Sequence, residues 1–140
     1  MALSLLVFTS FIPAENNSIE KDVLTETNNF RKSKGKGELQ MKAELNAIAE
    51  QHSINMAKGK VAFGHAGFER RNALAVSSVS SISSFAENVA YGANSASEVV
   101  TMWKNSTGHR TNMLGAYKYI GIGIAKDKAG RIYFTQVFAG

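Results

Sequence analysis

The chain has 140 residues and a mass of 15.1 kDa, enough for one domain and one core. Hydrophobic residues make up 44% and charged residues 19%, the balance of a folded globular domain and not of a disordered one. With 0 Cys, disulfides, thiolate nucleophiles and thiolate metal sites are excluded, so a metal would have to use His, Asp, Glu or backbone oxygen.

Lys and Arg total 16 against 11 acids, a formal net charge of +5. The basic residues are mostly scattered. Their densest group, Arg31, Lys32, Lys34 and Lys36, holds no aromatic on which a base could stack. It reads as a solvated helix end, and nucleic acid is not an expected partner.

Residues 2–14 form an uncharged, largely apolar run. It is shorter than the roughly 20 residues a spanning helix needs. It fits the apolar part of an export signal, with cleavage expected after Ala14, although no Lys or Arg precedes it. The competing reading is a buried N-terminal strand. The domain proper is expected over residues 19–140.

Ile19, Val23, Leu24, Thr27 and Phe30 recur at helical spacing, and the Lys34–Gly37 stretch ends that pattern. A second helix places Leu45, Ile48, Ala49, His52 and Met56 on one face and ends near Gly59. Glycines flank His65 in the segment 63–71, which reads as irregular backbone. Residues 76–84 repeat an apolar residue and two serines, and they read as a loop with at most a short strand. Ser95 and Glu98 have the spacing of a capping box opening a helix through Val99, Val100 and Trp103 to Gly108. A short helical turn follows His109. The chain closes with a β-hairpin: Ile120-Gly121-Ile122-Gly123-Ile124, a turn at residues 127–130, and a β-rich run over residues 131–138. Helices first and strands later predict a layered α+β domain.

Three histidines are present. His52, on the apolar face of its helix, reads as a satisfied core histidine. His65 and His109 each follow a glycine in irregular segments, where functional side chains concentrate. Glu87 is a lone acid among Phe85, Ala86, Val89, Ala90 and Tyr91, and burying it demands a partner, either a histidinium or a metal ion. Two His and one Glu are an established Zn²⁺ ligand set with a position left for water, so His65, His109 and Glu87 are candidate ligands of a divalent ion, zinc favoured. Glu87 is also a candidate general base, which makes a metal-assisted hydrolase of peptidase type the alternative. Ser106, three residues before His109, is a weaker nucleophile candidate. Val76, Val79 and Ile82, at every third position, could line an apolar groove, against the plainer reading of a loop packed on a helix. Trp103 is expected as a core anchor, Tyr91 at the cleft, and Asn112 bonded to nearby backbone.

Gly64-His65, the run from Ala86 to Gly92, Val100 to Trp103, the run from Gly108 to Met113, and Ile120 to Gly123 occur in one order. In that order, over about residues 20–138, the chain resembles the CAP superfamily of cysteine-rich secretory, antigen 5 and pathogenesis-related 1 proteins, in its Cys-free bacterial form. The resemblance implies a three-layer α-β-α sandwich, a secreted or cell-surface location, and a cleft lined by two His and two acids. By position, His65 and His109 match the family histidines and Glu87 the acid of its Glu-Asn motif. The second family acid would follow Trp103, where Lys104-Asn105-Ser106 stands. The resemblance leaves the partner open among a small polar ligand, a lipid and a cell-surface component.

Overall fold

A computed structural model describes residues 14–140. The apolar run and its expected cleavage lie in residues 1–14 and so fall outside the described residues, apart from Ala14, which begins the first helix. The elements in chain order are α1 (Ala14–Ser33), β1 (Gln40–Met41), α2 (Ala43–Ala57), α3 (Phe68–Ser78), β2 (Phe85–Tyr91), α4 (Ala96–Lys104), α5 (Thr107–Met113), β3 (Tyr119–Lys126) and β4 (Ile132–Ala139).

The strands form one sheet in the order β1-β3-β4-β2. β3 and β4 are the expected C-terminal antiparallel hairpin, β2 joins β4 antiparallel, and β1 joins β3 parallel. Alternation along β3 and β4 assigns the layers. Ile120, Ile122, Ile124, Phe134 and Phe138 face one way and pack with Val23 of α1 and Val99, Val100 and Trp103 of α4. Val137 and Ala139 face the other way, against Leu45, Ile48 and Ala49 of α2 and Ala75 of α3. The domain is therefore a mixed α+β sandwich with helices on both faces of the sheet.

The glycines of β3 explain how close α2 lies. A Cβ on Gly121 would fall 2.2 Å from the Leu45 backbone carbon, and one on Gly123 would fall 2.0 Å from the Glu50 backbone nitrogen. Alternating Ile and Gly thus builds a strand with one bulky face and one bare face, onto which a helix backbone settles.

Several expectations change. Residues 68–78 are helical, not an irregular segment running into a loop. Phe68, Arg71 and Ala75 face inward along α3, so the buried stripe has helical spacing but contains an arginine. Val79 and Ile82 are buried in the core with α2 and α3, which leaves Val76 as the exposed member of that triplet and supports the plainer packing reading. The fourth helix stops at Lys104, before Gly108. Its N-cap holds: Glu98 N–H donates to Ser95 Oγ at 3.1 Å, although the Glu98 carboxylate reaches back to the Asn94 N–H and not to Ser95. Arg31 is buried, not solvated. Its guanidinium donates to the carbonyls of Gly37, Met113 and Gly115, tying the end of α1 to the end of α5.

Candidate functional site

Glu87 sits in the middle of β2, on the face covered by α2 and α3, and its side chain is 0% exposed. Arg71, on α3, donates from Nε to Glu87 Oε2 at 2.6 Å and from Nη2 to Oε1 at 2.8 Å. This two-pronged contact offsets the buried carboxylate's charge directly. Sequence reasoning expected a histidinium or a metal ion as the partner. It missed Arg71, whose signal was an arginine at an inward position of an unrecognised helix.

His65 Nδ1 lies 2.9 Å from Glu87 Oε1, and its ring remains about half exposed. Donation from Nδ1 to the carboxylate leaves Nε2 as the free, outward atom. Arg71 also braces the His65 loop by donating to the carbonyls of Ala66 at 2.8 Å and His65 at 3.3 Å. Gly67, which opens α3, holds φ +82°, and the Arg71 guanidinium packs 3.0 Å from where its Cβ would stand.

His52 is buried and satisfied, as expected of a core histidine. Its Nε2 lies 2.7 Å from the Gly64 carbonyl, but also 3.8 Å from Glu87 Oε1. It is thus a wall of the same cluster. Burial pushes its pKa below the ordinary imidazole value, while the Gly64 carbonyl and Glu87 pull it back up.

His109 enters from α5 at the outer edge of β2. Asn88 donates to its backbone carbonyl at 3.1 Å, and Asn112 donates to the Glu87 carbonyl at 3.2 Å and to Asn88 Oδ1 at 2.9 Å. Asn112 therefore bonds backbone near it in space but distant in sequence. Behind this strap, Asn88 donates to Gln136 Oε1, and Gln136 donates to Thr27 of α1. Among the described residues, His109 Nδ1 is a buried ring nitrogen with no hydrogen-bond partner. Burial first, and the His65 charge second, push the His109 pKa below the ordinary imidazole value.

Both Glu87 oxygens point at N–H donors, so this carboxylate orients its neighbours and has no lone pair directed at solvent. Among the described residues, no three His, Cys, Asp or Glu side chains form a group that could hold a metal ion. The ring nitrogens of this cluster left without a protein partner are His65 Nε2 and His109 Nδ1. Ser106 caps α5 without a side-chain cap bond, and it makes no hydrogen bond to His109. Trp103 is the expected anchor, 1% exposed, and its indole N–H donates to the Val89 carbonyl at 3.2 Å. Tyr91 is exposed at the rim beside Phe63, the ring centroids 4.7 Å apart in a T-shaped contact.

Known proteins share this arrangement of elements. The profile of the CAP family, described as the cysteine-rich secretory protein family, matches residues 24–138. The Bacillus subtilis (strain 168) protein YkwD is 32% identical over 139 residues, covering 94% of this chain and 51% of YkwD. The chain thus spans about half the length of the curated relative it matches. A cysteine-rich secretory protein from Staphylococcus aureus superposes with a TM-score of 0.73 at 26% identity, covering 94% of this chain and 42% of that one. An extracellular SCP-domain protein from Bacillus anthracis gives a TM-score of 0.75 at 20% identity, covering 93% and 44%. An outer surface protein from Borrelia burgdorferi gives 0.72 at 20% identity, covering 92% and 95%.

Proposed function

The chain belongs to the cysteine-rich secretory protein family, and from that premise we propose that it is an exported binding module whose cleft presents His65 and His109 to a divalent cation or a small polar ligand. Export is supported by the extracellular and outer-surface proteins that share its fold. Among the described residues, no helix is long and apolar enough to cross a membrane.

One observation carries the binding reading. Glu87 holds His65 Nδ1 at 2.9 Å from a fully enclosed position. A carboxylate behind an imidazole fixes its tautomer and aims its second nitrogen outward. His109 adds a second imidazole with a buried, unpaired nitrogen. Imidazole nitrogen suits Zn²⁺ and the later first-row divalent ions, with water completing the coordination. In this reading Glu87 is a positioning residue, not a general base, because Arg71 and His65 occupy its oxygens.

Calorimetric titration with Zn²⁺ tests the proposal. The native chain is expected to take up one equivalent, and the double variant His65→Ala/His109→Ala none. Glu87→Gln should bind about 10–100-fold more weakly, as loss of an orienting group does. Equal heats from the native and double-variant proteins would overturn the cation reading.

A further inference from the structure

Beside the His65–Glu87 cluster lies a second cavity of about 440 Å³, bounded by Phe63, Tyr91, Met102, Trp103, Ser106 and His109. Neither His65 nor Glu87 lines it. Of the five large hydrophobic side chains the described residues expose, three surround this hollow: Phe63 at 47%, Tyr91 at 43% and Met102 at 45%. That volume is in the range of small-molecule sites.

The polar character of the cavity follows from the register of β2. Ser84 and Gly140 exchange both backbone hydrogen bonds, and Gly92 N–H donates to Ile132. Even-numbered residues of β2 therefore face β4, and the peptide groups of Glu87, Val89 and Tyr91 point away from the sheet. Two outward carbonyls are already taken, Glu87 by Asn112 and Val89 by the Trp103 indole. The outward N–H groups of Val89 and Tyr91 have no acceptor among the described residues. The edge is thus blocked against an added strand, yet it keeps donors along the cavity wall. Ser106 adds an uncommitted hydroxyl, and the Arg131 guanidinium lies 5.3 Å from the Tyr91 ring centroid at the rim. No acid lines the cavity.

We infer that this cavity is a binding site for an aromatic carboxylate, whose ring sits among Phe63, Tyr91 and Met102 while an oxygen of its head group accepts from the outward Tyr91 N–H. Unpaired donors beside apolar walls are costly, and an acceptor bound there satisfies them. An aromatic body suits edge-on contact with the two rings and with the Met102 thioether. A cation finds no carboxylate to meet it. His109 borders both this cavity and the imidazole pair, but His65 and Glu87 do not line it, and the test below is run without metal, so it and the zinc titration can fail independently.

Trp103 is the chain's single tryptophan and forms part of the cavity wall, so its fluorescence reads occupancy directly. The probes are phenylpropanoate and phenylpropylammonium, which share a ring and differ in the sign of the head group. A saturable fluorescence change is expected with the carboxylate, with at least about tenfold weaker binding of the ammonium ion. Backbone amide spectra should show the Tyr91 signal moving with phenylpropanoate. Met102→Glu, at an exposed position that leaves the core intact, should weaken carboxylate binding at least about tenfold. Equal affinity for the two head groups, or an unmoved Tyr91 amide at saturation, would overturn the inference.

Discussion

Arg71 and Glu87 form a buried ion pair, with side chains 11% and 0% exposed. Replacing Arg71 with Met keeps the aliphatic stem and removes the guanidinium. Glu87 then keeps only its contact with His65 from the trio of donors at 2.6, 2.8 and 2.9 Å. Two unit charges about 4 Å apart interact by about 4 kcal/mol at an effective dielectric near 20. Breaking a buried pair from one side costs about 3–5 kcal/mol by experience with other proteins. We therefore expect Arg71→Met to lose about 4 kcal/mol, and Glu87→Gln about 3 kcal/mol, because it strands Arg71 in turn. The double variant Arg71→Met/Glu87→Gln leaves no unpaired charge and should recover at least about 2 kcal/mol against the sum of the singles. Urea unfolding of the four proteins at neutral pH, followed by circular dichroism, gives the cycle. Additive losses within about 0.5 kcal/mol would refute the reasoning, since they would mean that the guanidinium and carboxylate are stabilised independently.

Two further outcomes follow from packing and from charge. Gly123→Ala drives a methyl into the α2 backbone at 2.0 Å, so it should cost about 3 kcal/mol or more in urea unfolding, at the upper end for overpacked cores; a loss below about 1 kcal/mol would mean that α2 can lift off the sheet freely. Glu20, buried on α1, has its pKa raised from 4.5 to about 7, by burial first and by the nearby Glu50 charge second. The folded state then holds the proton that the unfolded state releases, so stability falls as pH rises from 4.5 through about 7. Glu20→Gln removes that penalty and should gain on the order of 3 kcal/mol at pH 8 and nothing near pH 4, from a 2.5-unit difference at 1.36 kcal/mol each. An unchanged dependence of melting temperature on pH would count against it. His52 and His109, with pKa values lowered by burial, act oppositely and cost stability as pH drops below the ordinary imidazole range.

Local chemistry was legible in the sequence. The helical spacing of α1 and α2, the Ser95 cap, the closing hairpin and the inward Trp103 are each set by short-range periodicity, and each stands in the structure. The Ile-Gly alternation of β3 was legible as one strand of the closing hairpin, and only the packed molecule shows α2 resting on its glycine face. α3 escaped notice because its buried stripe includes Arg71, a residue that hydropathy counts as exposed, and because it runs directly into a serine-rich repeat.

The site divides in the same way. His65, Glu87 and His109 stood out by residue type and setting; the structure brings His65 against Glu87 and straps the His109 backbone to Asn88. Which atoms remain available was decided only by tertiary contacts. Arg71, 16 residues before Glu87, takes both carboxylate oxygens. Asn112 and Trp103 take the outward Glu87 and Val89 carbonyls of β2 and leave the Val89 and Tyr91 N–H groups open. The sequence by itself determined the residue types and the pattern of elements, because periodicity and turn chemistry act over a few residues. The tertiary structure alone decided who partners whom, because a buried charge or peptide group is satisfied by whatever the folded chain brings within about 3 Å, at any distance along the sequence.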